Sequence, residues 1–453
     1  MKQTTTRVYR KVIPNGVEIS LERKNYQITY PANLWKEFPN VYRQNFADAL
    51  AYSLTMHLCL NGHEKIIYNF PHPQIEPYFF EGMIYSLGET SLLERDVRTS
   101  DLLRQYYNRN LNIQFTGRPR YSRFKNVNRN SRNRAIIPFS FGKDSLLTFA
   151  LAQELGVDPR PVFFREPKSP FENRHKRKLA DKFTEEFDTE VSFFPVSAGR
   201  LRQTFGSCWG WDLLLTQYTL MLIPYIFGLR ARYLLWAHEQ SCNDYLVDKE
   251  GFSINPVFEQ SRRWLLTSNN LARELGSNAT FASIIEPVHE IAVMRILHHR
   301  YPQYGKYQLS CFSEEDPAAT KRWCGLCSKC ARIYIFLLAL GISPKTVGFT
   351  ESMLGRKKKH LFSLFVSDDE GSGVYDGSGL GRDEQLLAFY LAHKRGAKGE
   401  LMKEFAKNFL AEAKNRERHL REKYFGIHST DTLPYELKTP LLRIFKEELE
   451  ELQ

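Results

Sequence analysis

The chain has 453 residues, 42% apolar and 13% aromatic, with a formal charge of +12. That length exceeds what one core usually holds and predicts two or three domains with well-filled interiors. No run reaches the roughly 18 uninterrupted apolar residues of a membrane helix, and Met1–Thr6 lacks the apolar stretch of a signal peptide, so a cytoplasmic protein without membrane contact is expected.

Residues 1–116 read as an N-terminal α+β domain. Arg7–Tyr30 alternates around Pro14-Asn15-Gly16 and predicts a hairpin, and Asn45–Leu60 has helical spacing. No catalytic constellation stands out there. Residues 117–133 read as a basic linker: Arg118–Arg134 holds seven Lys or Arg and no acid. A solvated linker is the first reading and a contact to RNA the second.

Residues 134–349 alternate strand and helix. Arg134–Phe139, Arg160–Phe164, Glu190–Val196 and Ala231–Ala237 predict strands, and Asp212–Phe227 predicts a helix between two of them. This pattern implies a parallel sheet covered by helices on both faces. Ligands of such sheets lie at the carboxyl ends of the strands, which would bring together the segments after Phe139, Phe164, Val196 and Ala237. Residues 350–453 form a helical C-terminal region. Arg356–Lys359 and Asp368–Gly381 are loop-like, Lys398–Tyr424 predicts one charged amphipathic helix, and Glu447–Gln453 an acidic helical end.

The most informative stretch is Ser140-Phe141-Gly142-Lys143-Asp144-Ser145, between an apolar strand and a helix that closes at Gly156. A small polar loop at a helix N-terminus makes an anion site, because loop and first-turn N–H groups converge and the dipole favours negative charge. Ser140 and Ser145 add hydroxyl donors, Lys143 a cation, and Asp144 an oxygen ligand for Mg²⁺. The spacing is not that of a Walker loop.

Cys324, Cys327 and Cys330 recur every third residue, with Cys311 upstream. Four thiols in this pattern suit a structural Zn²⁺; an iron–sulfur cluster is the alternative. Glu239 and Ser241 follow a predicted strand and should stand at the nucleotide rim, Glu239 as a general base or an ion ligand. Asp212 reads as a helix N-cap. Arg295 could reach a phosphate. His289, His298 and His299 share no ligand spacing with the thiols, and Cys59 reads as core.

The loop resembles the S-G-G-x-D-S signature of the PP-loop ATP pyrophosphatases, with Phe141 where that superfamily has glycine. Adding C-x₁₂-C-x₂-C-x₂-C makes the chain resemble the 7-cyano-7-deazaguanine synthase family. Gly142–Ser145, His238-Glu239-Gln240-Ser241, Glu286–Val293 and Arg322–Cys330 together resemble the UDP-N-acetylmuramoyl-L-alanyl-L-glutamate epimerase family, with His238 for asparagine. The resemblance covers about residues 130–345. It implies a Rossmann-like sheet with a zinc-bound Cys₄ element, and ATP·Mg²⁺ held by Ser140–Ser145 and Ser241. It also implies the conversion of ATP to AMP and pyrophosphate while a small-molecule carboxylate is activated. Lys143 would neutralise phosphate and Glu239 would act near the acceptor. Epimerisation of a terminal glutamate is the expected outcome; a deazaguanine-type synthase or a tRNA-modifying enzyme is the alternative.

Overall fold

A computed structural model describes residues 5–22, 24–60, 65–93, 97–110, 112–119, 131–206, 211–365 and 380–453. Most of the basic linker, Cys208 and most of the Gly/Ser/Asp segment Asp368–Gly381 lie outside these residues. Among the described residues no helix is long and apolar enough to cross a membrane.

The N-terminal sheet is mixed. Strands β1 (Thr5–Ile13) and β2 (Gly16–Leu21) pair antiparallel across Pro14-Asn15, and β3 (Lys24–Thr29) pairs with β2, so the expected hairpin is part of a three-stranded meander. A Cβ on Gly16 would lie 2.0 Å from the Ile28 carbonyl oxygen, so the strand approach requires glycine. Parallel strands β4 (Lys65–Tyr68) and β5 (Ile113–Phe115) complete the order β3-β2-β1-β4-β5. The helix expected over Asn45–Leu60 begins earlier and ends earlier, at Asn40–Thr55, and tightens to a 3₁₀ turn over Met56–Leu60.

The second sheet is wholly parallel. Its strands are β6 (Arg132–Pro138), β7 (Asp158–Arg165), β8 (Ser192–Pro195) and β9 (Ala231–Leu235), then, after a two-strand ribbon of β10 (Leu246–Val247) and β11 (Ser253–Ile254), β12 (Thr280–Ala282). Their order is β12-β9-β6-β7-β8. The chain runs outward from β6 to β8, returns to the other side of β6 at β9, and ends at β12. The reversal therefore falls between β6 and β9, the position where such sheets open a crevice at their carboxyl ends.

Strand residues alternate between two cores, as a pleated sheet buried on both faces requires. Ala135, Ile137, Phe163, Tyr233 and Leu235 join one core. Ile136, Val162, Phe164, Leu234 and Trp236 join the other. The second core continues through helix Leu214–Leu229 into the N-terminal sheet. The first continues through helices Lys143–Glu154, Glu290–Arg300 and Ser328–Ala339 into the C-terminal helices.

The C-terminal region differs from the single long helix expected over Lys398–Tyr424. Helices Glu400–Asn408 and Leu410–Tyr424 meet at Phe409, whose ring turns onto Phe365 at 5.5 Å. That contact packs the half-buried ring against the core at the break. Asp212 is not a helix N-cap either: helix Leu214–Leu229 starts after Leu213, whose side chain makes no cap. Its free N–H groups are taken by Glu259, which accepts from Leu215 at 2.9 Å and Thr216 at 3.1 Å.

Candidate functional site

A cleft of about 1020 Å³ opens where β6 and β9 part. Its floor is the loop after β6, one wall is the turn after β9, and the opposite wall is the cysteine-bearing segment. The segment after β8 lies elsewhere. The Leu201 carbonyl accepts from His57 Nε2 at 3.1 Å, and Ser197 Oγ donates to the Gln27 carbonyl of β3, so that segment faces the N-terminal sheet rather than the cleft.

The loop is compact. Ser140 Oγ accepts from the Gly142 amide at 3.3 Å, and Ser145 Oγ donates to the Gly142 carbonyl at 3.2 Å. Gly142 stands at the N-cap of helix Lys143–Glu154 and brings no side chain to its first amides. Ser140, Gly142, Lys143 and Asp144 line the cleft. Phe141 and Ser145 depart from the expected roles. Phe141 has φ +57°, in the left-handed region that glycine occupies freely, and its ring is fully buried against Phe139 and Phe183. Ser145 is buried and spent on the loop's own carbonyl. Neither residue lines the cleft.

Lys143 is the electrostatic centre. Its buried Nζ lies 2.7 Å from both Asp144 oxygens and 3.1 Å from Glu290 Oε1. Burial pushes its pKa down, but Asp144, Glu290 and Glu239 prevail and hold it above the ordinary value. Glu290 then pairs with Arg332 at 2.9 Å. Burial would raise its pKa, yet Arg332 and Lys143 keep it low. Glu239 is pushed up to about 8 by burial, against the pull of Lys143 and with the push of Glu290 and Asp144. Its Oε2 accepts from the Ser241 amide at 2.7 Å, and Ser241 Oγ meets His289 Nδ1 at 3.1 Å.

The site thus unites Lys143, Asp144, Glu239 and Ser241 as expected and adds Glu290 and Arg332. Glu384, from the C-terminal region, accepts from the Ile291 amide at 2.8 Å and lies behind Glu290. Burial, with Glu290 and Glu239, raises its pKa well above the carboxylate range. Arg295 does not reach the site; it sits among Glu448, Arg395 and Glu451.

Lys176 was concealed in the sequence by its basic neighbours. It lies on the same helix face as Leu179, Ala180 and Phe183, the signal that one lysine points inward. Its Nζ donates to the carbonyls of Ser140 and Leu309, bridging the loop to the chain that leads into Cys311.

Cys311, Cys324, Cys327 and Cys330 have all four sulfurs within 4.8 Å of one another, the one such group among the described residues. Cys324 and Cys330 are 3.7 Å apart, and Cys327 and Cys330 3.5 Å. Tetrahedral thiolates around zinc, at metal–sulfur distances of about 2.3 Å, stand roughly 3.8 Å apart, so the group fits such an ion. Gly325 takes φ +67°, and the Leu326 amide donates to Cys324 Sγ at 3.3 Å. Asp144, Glu239 and Glu290 surround Lys143 but do not converge on one point as the thiols do.

No protein-family model matches this chain, and no curated protein matches it.

Proposed function

We propose that this protein is an adenylating enzyme of the PP-loop ATP pyrophosphatase type, with a Rossmann-like core and a structural zinc in its Cys₄ element. The observation that carries the reading is the position of Lys143. It is a buried cation on an uncapped helix N-terminus, at the carboxyl end of the central strand, on the floor of a cleft large enough for a nucleotide and an acceptor.

The first-turn amides and Ser140 would receive phosphate oxygens, and Lys143 would neutralise their charge. A bound Mg²⁺ would supply further charge neutralisation, with Asp144, the most exposed carboxylate beside Lys143, offering its oxygen. An acceptor carboxylate oxygen would bond to the α-phosphorus as the bond to the bridging α–β oxygen breaks and pyrophosphate leaves with that electron pair. The residues contribute position and preorganised charge rather than covalent chemistry. Glu239 stands at the cleft wall where an acceptor proton could be removed, the role an epimerase outcome requires.

Turnover of radiolabelled ATP with a panel of carboxylates, including UDP-muramoyl dipeptides, tests the reading. AMP and pyrophosphate are expected in equal amounts. ADP as the main product would rule it out.

A further inference from the structure

Among the cations lining the cleft, Lys329 differs from the rest. Lys143 is held by Asp144 and Glu290, Arg332 by Glu290, and Lys176 by two carbonyls. The contact found for the Lys329 ammonium is the face of Phe312, 4.4 Å from the ring centroid. Lys329 also stands in the first turn of helix Ser328–Ala339, where a cation opposes the helix dipole. Helix stability therefore does not account for a lysine there.

The surroundings indicate a binding surface. Phe312 is 58% exposed and Leu326 47%, and both line the cleft beside Lys329. Phe312 follows Cys311, while Leu326 and Lys329 flank Cys327. The four-thiol element therefore sets the spacing of the ammonium and its apolar border. Lys143, Asp144, Glu290, Arg332 and Lys329 all line this one cleft, which puts Lys329 within reach of a ligand held there.

We propose that Lys329 is the oxyanion-binding residue of the cysteine element, receiving either a nucleotide phosphate or the anionic group of the acceptor against the Phe312–Leu326 border. This deepens the nucleotide reading above: the metal element supplies a ligand contact as well as stability. A lysine ammonium paired to an oxyanion forms a charge-assisted hydrogen bond, among the stronger polar contacts.

The test uses metal-replete full-length protein, with metal content measured for each variant. Wild type, Lys329→Met and Lys329→Arg are titrated calorimetrically with Mg²⁺ and α,β-methylene-ATP, then with inorganic phosphate on the nucleotide-loaded protein. Lys329→Met should weaken one of the two ligands about tenfold, and Lys329→Arg should recover most of the loss. Loss for the nucleotide assigns the contact to its phosphates. Loss for inorganic phosphate alone assigns it to a second oxyanion, the acceptor's. Unchanged binding of both overturns the proposal. Wild type that fails to bind the nucleotide analogue overturns the nucleotide reading, and the phosphate titration then decides Lys329 alone, against it if phosphate does not bind. If Lys329→Met loses its metal, acetylation of Lys329 in wild type, followed by mass spectrometry, replaces it. Protection by either ligand supports the contact, and equal labelling with and without them overturns it.

Discussion

The Leu309 amide donates to the Phe141 carbonyl at 2.7 Å, joining the loop after β6 to the chain that enters Cys311 two residues later. Lys176 reinforces the joint by donating to the carbonyls on both sides, Ser140 and Leu309. The geometry of the Ser140–Ser145 loop is therefore set partly by the cysteine element, which lies far away in sequence.

Lys176→Met should loosen that joint. It leaves the buried Leu309 carbonyl short of a donor, at about 1–3 kcal/mol for an unmet polar group, and frees the part-buried Ser140 carbonyl. The expected result is a lower melting temperature and a raised KM for ATP, with metal content retained. Unchanged KM in a folded, metal-replete variant would separate the loop from the clamp.

Phe141→Gly sets two effects against each other. Glycine removes the cost of a side chain at φ +57°, roughly 1–2 kcal/mol. It also deletes a fully buried aromatic ring, where Phe-to-Ala losses run at about 3–5 kcal/mol. The ring should win, and chemical denaturation should show a net loss of roughly 1–4 kcal/mol. A stabilised variant would mean that the ring contributes little to the core.

Zinc should be present at one ion per chain and should resist dialysis. Structural zinc contributes roughly 10–16 kcal/mol in small peptides, so Cys327→Ser should yield insoluble or chelator-sensitive protein. Elemental analysis finding iron with acid-labile sulfide would replace zinc with a cluster.

Glu239, with its pKa pushed up to about 8 by burial, should act as a base only above that pH. Because kcat/KM reports ionisations of the free enzyme, its profile for acceptor conversion should rise through about pH 8 and level off. Glu239→Gln should lose the rising limb together with most of the activity. A flat wild-type profile would remove Glu239 from the proton step.

Glu259 makes a stability prediction of known sign. Burial raises its pKa from 4.5 to about 8, even though its bonds to Leu215 and Thr216 pull it down. Between those values the folded state keeps a proton that the unfolded state has released, so stability is fully present below about pH 4.5 and falls as pH rises to about 8. The slope is roughly 1.4 kcal/mol per pH unit. Glu259→Gln retains an acceptor for the helix amides and should flatten that decline in thermal melts.

The chain's local patterns announced the parallel sheet, the strand–loop–helix at Ser140–Ser145 and the cysteine group, because each is written in short-range spacing. The apolar run of β6 leads directly into Ser140–Ser145, and Cys324, Cys327 and Cys330 lie within two turns of chain. Lys143, Asp144, Glu239 and Ser241 could be proposed from position alone, since all follow strands whose ends meet. Tertiary structure decided the rest. Which way Phe141 points depends on a core shared with Phe183, not on the loop's own residues. Whether Lys176 enters the interior or stays in solvent depends on which face of its helix meets the sheet. Lys143, Glu290 and Arg332 become a charge network, with Glu384 behind Glu290, only when distant helices pack together. A buried charge is tolerable only when paired, and those partners come from distant segments that only the packed fold brings together.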